Sequence, residues 1–396
     1  MPQDMKILHI NEYASIKGGA EAYLMDLIAQ LQNNGHGCQL AYAKGTAPKS
    51  LASIEIPSIA HLSGPQITED LRRLGSFIQN HKPDLIHLHG LWNLGVIRAC
   101  LNAKPCVMTT HDYRWLCPDS KFYWKKSEAP CPQRGGWQCA ITTLKQHCLT
   151  RRPYLALQHI KRIRDFSHIM PSIKALIAPS QYAQKRIQQI GYPDQSNHLL
   201  PYFCSFSPYD QPRPTPSKKQ IGYIGRIAPY KGYQDFLRAL SLLPEDVNGL
   251  MVGDTDGAKG VSIVKLAQDL GCENKLRLKP WARREEIQGL LNELSVLVFP
   301  SIWPETLGII GLEAMACGVP VVGCKVGGVP DWLHHAVNGF LCAPKNPEKL
   351  ATAIQQLLND PVCMQNHGKN GIELIKQQFL PETHLQKLED IYANCL

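Results

Sequence analysis

Two glutamates, Glu305 and Glu313, lie in the segment PSIWPETLGIIGLEAMACGVPVV, and two cations, Arg226 and Lys231, lie in QIGYIGRIAPYKGYQDFLRAL. The glutamate segment follows the apolar run VLVF (Val296 to Phe299), the kind that forms a buried parallel strand. A turn with Pro304 and Gly308 comes next, then a helical stretch that stops at Gly318 before Pro320. Glu305 therefore sits on a loop outside a strand's carboxyl end, and Glu313 about two turns along, inside the helix. Free N–H groups at the helix start, from Leu307 and Gly308 through Ile309 and Ile310, can hold anionic or hydroxyl-rich ligands. A carboxylate cannot bind phosphate, but it accepts two hydrogen bonds from neighbouring sugar hydroxyls. Amides suited to phosphate, flanked by carboxylates suited to hydroxyls, describe a site for a nucleotide bearing a sugar.

The cations supply the other half. Their segment reads as a strand, a turn and an amphipathic helix, with Gly225 and Gly232 letting the backbone bend on either side. Arg226 offers a planar fork to phosphate oxygens and Lys231 a point charge. Alone, such a pair reads as solvated surface charge. With the glutamate loop two βα units later, it reads as a diphosphate clamp. The acid-x-acid triplet Asp254-Thr255-Asp256 follows the apolar run GLMVG and is a further ligand-facing candidate; in a metal-dependent fold it would be expected in the first domain, and here a full α/β half precedes it.

The N-terminal half carries loop motifs of the same kind. Gly18 and Gly19 of KGGAE follow the first strand and open a helix, without the G-x-G-x-x-G spacing of dinucleotide sites. His87 and His89 of HLHG are read as alternating across a strand, so that both cannot point at one metal. His111 ends a strand beside Asp112 and is the favoured functional histidine.

With 396 residues, 44% apolar and 19% charged, the chain is globular and large enough for two domains. MKILHI, CQLAYA, LIHLHG, PCVMTTHD and ALIAPS read as strands separated by helical stretches, then QIGYIG, GLMVGD, KLRLKP, SVLVFP and VPVVG repeat the pattern. The boundaries are residues 1–204, a proline-rich linker at 205–219, a second domain at 220–379, and a terminal helix at 380–396. Two doubly wound, Rossmann-like α/β halves predict a ligand cleft between the carboxyl ends of their sheets.

The formal net charge is +9. Between Lys145 and Lys174 seven Lys or Arg, among them Arg151, Arg152, Lys161 and Arg162, oppose the single acid Asp165. In the same stretch Leu155, Ile160, Ile163 and Phe166 share one helical face, as a basic helix on an anionic membrane would arrange them. An ordinary surface helix packed on its own domain is the reading that the pattern favours. Aromatics do not interleave with the basic residues, which argues against nucleic acid. No signal peptide and no spanning run are legible, so the expected compartment is the cytoplasm and the 14 cysteines are expected as reduced thiols. Cys117, Cys131, Cys139 and Cys148 fall within one insert, about residues 113–150, separated by 13, 7 and 8 residues. No C-x-x-C pair is present, so the spacing favours unlinked thiols over a structural metal or a disulfide.

Taken together, Gly18-Gly19-Ala20-Glu21, His87 to Gly90, Thr110-His111-Asp112, Ala178-Pro179-Ser180, Gly225-Arg226 with Lys231-Gly232, Glu305 with Glu313, and Gly327-Gly328 resemble glycosyltransferase family 4, retaining enzymes of the GT-B fold. The resemblance implies that Arg226 and Lys231 bind the donor diphosphate, that Glu305 holds hydroxyls of the sugar with amides near Leu307 and Gly308, and that Glu313 grips the ribose. It also implies that His111 contacts the donor sugar, that Gly19 approaches the phosphates, that no metal or other cofactor is obligatory, and that the last helix returns to the first domain. The partners implied are a UDP- or GDP-sugar and a glycan or lipid-linked acceptor of polysaccharide assembly, reached at the inner face of the plasma membrane. Residues Tyr202 to Ser207 depart from the family pattern, and nothing is assigned to them. An epimerase or phosphorylase on the same scaffold, or a non-catalytic assembly partner, are the alternative readings.

Overall fold

The computed structural model describes residues 4–62, 67–133, 135–149, 152–210, 216 and 218–396. Arg151 and linker residues 211–215 and 217 lie outside the described residues. The chain forms two compact units: Met1–Ser127, Cys131–Tyr202 and Pro381–Leu396 make unit 1, and Glu128–Pro130 with Phe203–Leu380 make unit 2.

Unit 1 is built on β1 (Lys6–Tyr13), β2 (Gly37–Lys44), β3 (Ala52–Glu55), β4 (Leu85–Leu88), β5 (Cys106–Thr109), β8 (Ala175–Ala178) and β9 (Asn197–Leu199), with β6 (Tyr123–Trp124) short and outside this sheet. The order is β3-β2-β1-β4-β5-β8-β9, and the pairs are parallel. β4, β5 and β8 are buried at every position. Helices on both faces explain why these strands are continuous apolar runs rather than alternating ones. β3 and β9 add edge strands that apolar runs did not signal; β3 is exposed or half-buried throughout.

Around this sheet lie α1 (Gly19–Asn33), α2 (Ile67–His81), α3 (Leu94–Ala103), α4 (Gln138–Gln146), α5 (Pro153–Ile169) and α6 (Gln181–Gln188). The final helix, Pro381–Ala393, also belongs to unit 1. Its Glu389 accepts from Asn34 Nδ2 at 3.2 Å and meets His36 Nε2 at 3.1 Å, while His384 Nε2 meets Tyr23 Oη at 2.9 Å. Tyr392 is fully buried against His87. Polar contacts thus attach this helix to β4 and to α1 and the loop that follows it.

Unit 2 holds β7 (Ala129–Pro130) and a six-stranded parallel sheet. Its strands are β10 (Lys219–Ile224), β11 (Val247–Val252), β12 (Leu276–Lys279), β13 (Val296–Phe299), β14 (Val321–Cys324) and β15 (Gly339–Cys342), in the order β12-β11-β10-β13-β14-β15. The order reverses between β10 and β13. In an open parallel sheet that switch point leaves a crevice between two diverging loops, where ligands bind. Here those loops carry Arg226 with Lys231, and Glu305.

Two expectations are corrected by the fold. His87 and His89 stand two residues apart, and strand side chains two apart share a face; with His9 they bring one ligand atom each within 4.8 Å of the others. Arg162, expected on an exposed basic face, is 3% exposed. Its guanidinium lies 4.2 Å from the Trp92 ring and donates from Nη2 to the Arg114 carbonyl at 2.7 Å. Burial and the nearby Arg114 charge push its pKa down to about 9. On α5, Ile163 and Phe166 are buried and Leu155 and Ile160 half-buried, so that face packs on unit 1.

Candidate active site

The loop after β10 turns through a 3-10 segment, Pro229–Lys231, and ends at Gly232, whose φ of +73° starts α7 (Tyr233–Ser241). A Cβ at Gly232 would stand 1.9 Å from the Pro300 carbonyl oxygen, so only glycine lets this loop press against the one after β13. The two loops are also joined by backbone: the N–H groups of Ile302 and Trp303 donate to the Tyr230 carbonyl at 2.9 and 3.1 Å.

That junction places Lys231 on Glu305. Nζ donates to Oε1 at 2.8 Å and Oε2 at 2.9 Å, and lies 4.8 Å from the Trp303 ring. Ser301 Oγ donates to the same carboxylate. Glu305 is 4% exposed. Its backbone is fixed by Gly328 N–H, which donates to its carbonyl at 2.8 Å. Gly327, at φ +51°, packs so closely that a Cβ would come within 2.1 Å of that carbonyl oxygen.

Gly308, with φ +106°, caps α10 (Ile309–Ala316), so the helix begins one residue after it and Glu313 sits just over one turn in. Leu307 is buried, and its carbonyl accepts from Trp332 Nε1 at 2.7 Å. Glu313 is 2% exposed and paired with Arg284, the first residue of α9 (Arg284–Asn292). Arg284 also donates to Ser205 Oγ at 2.8 Å and lies 4.5 Å from the Phe206 ring.

Arg226 is exposed, and its carbonyl accepts from Tyr223 Oη at 2.7 Å. Gly225, with a positive φ of 156°, is bonded through its N–H to the Val252 carbonyl at 2.9 Å. Asp254 holds this turn by accepting the Ile227 N–H at 2.6 Å, and its other oxygen takes Lys259. Burial opposes ionisation of Asp254, but these donors outweigh it and its pKa lies below the usual value. Asp254 thus supports the cation loop.

In unit 1, Gly18 precedes α1 and Gly19 opens it, exposed. His111 stands in a line of hydrogen-bonded rings: His9 Nδ1 to His89 Nε2 at 3.2 Å, His89 Nδ1 to His111 Nε2 at 2.8 Å, and His111 Nδ1 to Tyr202 Oη at 2.8 Å. His9 Nε2 is buried with no hydrogen-bond partner. A buried N–H without an acceptor costs more than an unused lone pair, so the proton belongs on Nδ1. Donation then runs from His9 through His89 and His111 to Tyr202. Burial pushes His9 and His111 down to about 3, and the rings are neutral at ordinary pH. His87 uses both nitrogens on Tyr392 Oη at 2.6 Å and Thr109 Oγ1 at 2.8 Å. The histidine cluster is thus a hydrogen-bonded network in which the His9 Nε2 lone pair is left unused.

The structure therefore brings Lys231, Glu305 and the Gly308 helix start together in unit 2, with Arg226, Gly225 and Asp254 on the adjoining turn. Glu313 lies deeper, behind Arg284. Sequence reasoning missed Ser301, Arg284, Ser205 and Tyr202. Ser301 was findable, four residues before Glu305 in the same loop; Arg284 is 29 residues from Glu313 with no local signal.

Comparison with known proteins bears on the fold and the family. The Anabaena protein HepE, crystallised with UDP and glucose, superposes with a TM-score of 0.74 over 98% of this chain and 99% of its own, at 20% identity. Sucrose-phosphate synthase from Thermosynechococcus elongatus superposes at 0.75, with 98% of each chain covered and 19% identity. The fold is GT-B, two Rossmann-like α/β units. Residues 17–203 match the family described as Glycosyltransferase Family 4, and residues 209–374 match Glycosyl transferases group 1. The chain belongs to glycosyltransferase family 4. Among curated relatives it is 24% identical to the D-inositol 3-phosphate glycosyltransferase of Arthrobacter over 81% of this chain and 72% of that protein. It is 29% identical to N-acetyl-alpha-D-glucosaminyl L-malate synthase of Bacillus anthracis over 46% of each, so the match spans less than half of that relative.

Proposed function

We propose that this chain is a retaining hexosyltransferase that uses a UDP- or GDP-sugar and builds a glycan or lipid-linked oligosaccharide without a catalytic metal. The observation that carries the reading is the Lys231–Glu305–Ser301 cluster at the sheet's switch point, beside a helix start. Without ligand, Glu305 neutralises Lys231. A donor diphosphate takes the Lys231 charge together with Arg226, and sugar hydroxyls take the freed Glu305 oxygens, with the amides of Leu307, Gly308 and Ile309 beside them. As the glycosidic bond breaks, charge develops on the departing phosphate, and stabilising it is the largest catalytic contribution. The phosphate accepts the acceptor's proton on the same face, which retains configuration without a carboxylate nucleophile. Glu313 binds ribose once Arg284 yields it. Gly18 and Gly19 leave the start of α1 open to the phosphates. The neutral His111, both nitrogens engaged, orients its loop. HepE with UDP and glucose, and the sugar-transferring relatives, support the donor class.

Calorimetry with UDP, GDP and their hexose conjugates, followed by a transfer assay without added divalent metal, tests this. Tight binding of a sugar nucleotide and transfer with retained anomeric configuration are expected. Net epimerisation, or a demand for inorganic phosphate, would favour an epimerase or phosphorylase; no turnover despite donor binding would favour an assembly partner.

For the acceptor, we infer a lipid carrier at an anionic membrane surface. Among the described residues no helix is long and apolar enough to cross a membrane. On and beside α4, Trp137, Ile141 and Leu144 fall at one helical face and are 74%, 54% and 79% exposed; on α5, Tyr154 and Leu157 are 71% and 61% exposed. Lys145, Arg152 and Lys161 flank them, all exposed. An aromatic and aliphatic stripe rimmed by cations suits insertion at the headgroup boundary. Trp137→Ser with Leu144→Ser should abolish sedimentation with phosphatidylglycerol vesicles while leaving nucleotide binding intact. Retained sedimentation would remove this surface from the proposal.

A further inference from the structure

The insert after His111 gathers its four dispersed cysteines in one place. Cys117, Cys131, Cys139 and Cys148 line a single cavity of about 20 Å³, shared with Asp119 and Trp124. That is room for one water molecule or one small ion. All four are free thiols, Cys117 and Cys131 buried and the other two half-buried.

The four come from separate stretches of the insert: Cys117 from the loop after β5, Cys131 from the segment just after β7, Cys139 from α4 and Cys148 from the loop that follows it. Thr143 Oγ1 on α4 lies 3.6 Å from Cys148 Sγ.

Helix α4 turns one face to the same cavity. Cys139, Thr142 and Thr143 line the cavity, whereas the apolar Ile141 and Leu144 face outward.

We propose that Cys117, Cys131, Cys139 and Cys148 form a tetrathiolate site for one structural divalent cation of the zinc type, stapling α4 to the loop that carries His111. Four thiols and one M²⁺ give M(S–Cys)₄²⁻ and release four protons, as stoichiometry requires. The resulting charge is offset by Lys125, which donates to the Cys148 carbonyl at 2.8 Å, and by Arg186, which donates to the Cys131 carbonyl at 2.9 Å. Among the described residues only His9, His87 and His89 already have ligand atoms all within 4.8 Å. Metal–sulfur bonds of about 2.3 Å therefore draw the cysteine loops inward on binding.

The full chain, purified under reducing conditions and desalted, is assayed for metal by elemental mass spectrometry. About one zinc per chain is expected, since four thiolates close one tetrahedron, and an organomercurial should release it. Co²⁺ exchange should give the absorption of a tetrahedral tetrathiolate. Cys131→Ser and Cys148→Ser should each lose the metal and keep UDP affinity, which separates this site from the donor site. Metal-free wild-type protein with all four thiols reactive to Ellman's reagent overturns the proposal, as do disulfides among them on non-reducing peptide mapping. The wild-type metal content decides the matter even if a variant fails to fold.

Discussion

Replacing Lys231 with alanine separates two effects that the candidate active site combines. Glu305 is 4% exposed, and Lys231 grips both of its oxygens. Removing one member of a fully buried pair costs about 3–5 kcal/mol, because the other charge is stranded. The Lys231 side chain is 24% exposed, so water partly replaces the ammonium; about 2–3 kcal/mol is the expected loss. At roughly 2–4 °C per kcal/mol for a unit of this size, the melting midpoint falls by roughly 4–12 °C. The catalytic loss is separate: one fewer donor on the leaving group costs about 10²–10³ in kcat. The double variant Lys231→Ala with Glu305→Gln has no stranded charge. It should regain most of the midpoint while turnover stays low. Scanning calorimetry and steady-state turnover read the two quantities independently. A double variant as unstable as the single one, or a folded Lys231→Ala with unchanged turnover, would refute the reasoning.

Gly232→Ala should destabilise unit 2 by about 2–3 kcal/mol and misplace Lys231, because it adds a clash with Pro300 to the strain of a positive φ; urea unfolding at wild-type stability would contradict this. Glu313→Ala should weaken both bare UDP and the sugar donor, whereas Glu305→Ala should spare UDP, and titration calorimetry giving the reverse would mean the two roles are exchanged. His9 and His111 are held neutral with pKa values near 3, below the ordinary 6.5. Below pH 6.5 the unfolded chain binds more protons than the folded one, so stability is full above that pH and declines as pH falls toward 3, by up to about 1.4 kcal/mol per pH unit for each ring. A urea midpoint that stays flat from pH 7 to pH 5 would show that these rings take up protons in the folded chain as readily as in the unfolded one.

The parallel-sheet architecture and the loops that bear chemistry were legible because local pattern carries them. A buried parallel strand must be an apolar run, as β4 and β13 are, and a ligand loop must follow its carboxyl end, as the loops with Lys231 and Glu305 do. Edge strands β3 and β9 were not legible, since an edge lacks the two-sided burial that makes such runs. What the tertiary structure decided was the pairing of distant groups. The sequence presents Lys231 as a free cation and Glu313 as a free carboxylate; only packing shows that one is held by Glu305 and the other by Arg284. It shows Arg162 beneath Trp92, not on a membrane face, because burial of a charge depends on which aromatic rings the fold stacks over it. The four cysteines carry no motif in their spacing and yet line one cavity. Spacing along a chain fixes contacts only within a turn or a helix, whereas these contacts arise from the closure of separate loops.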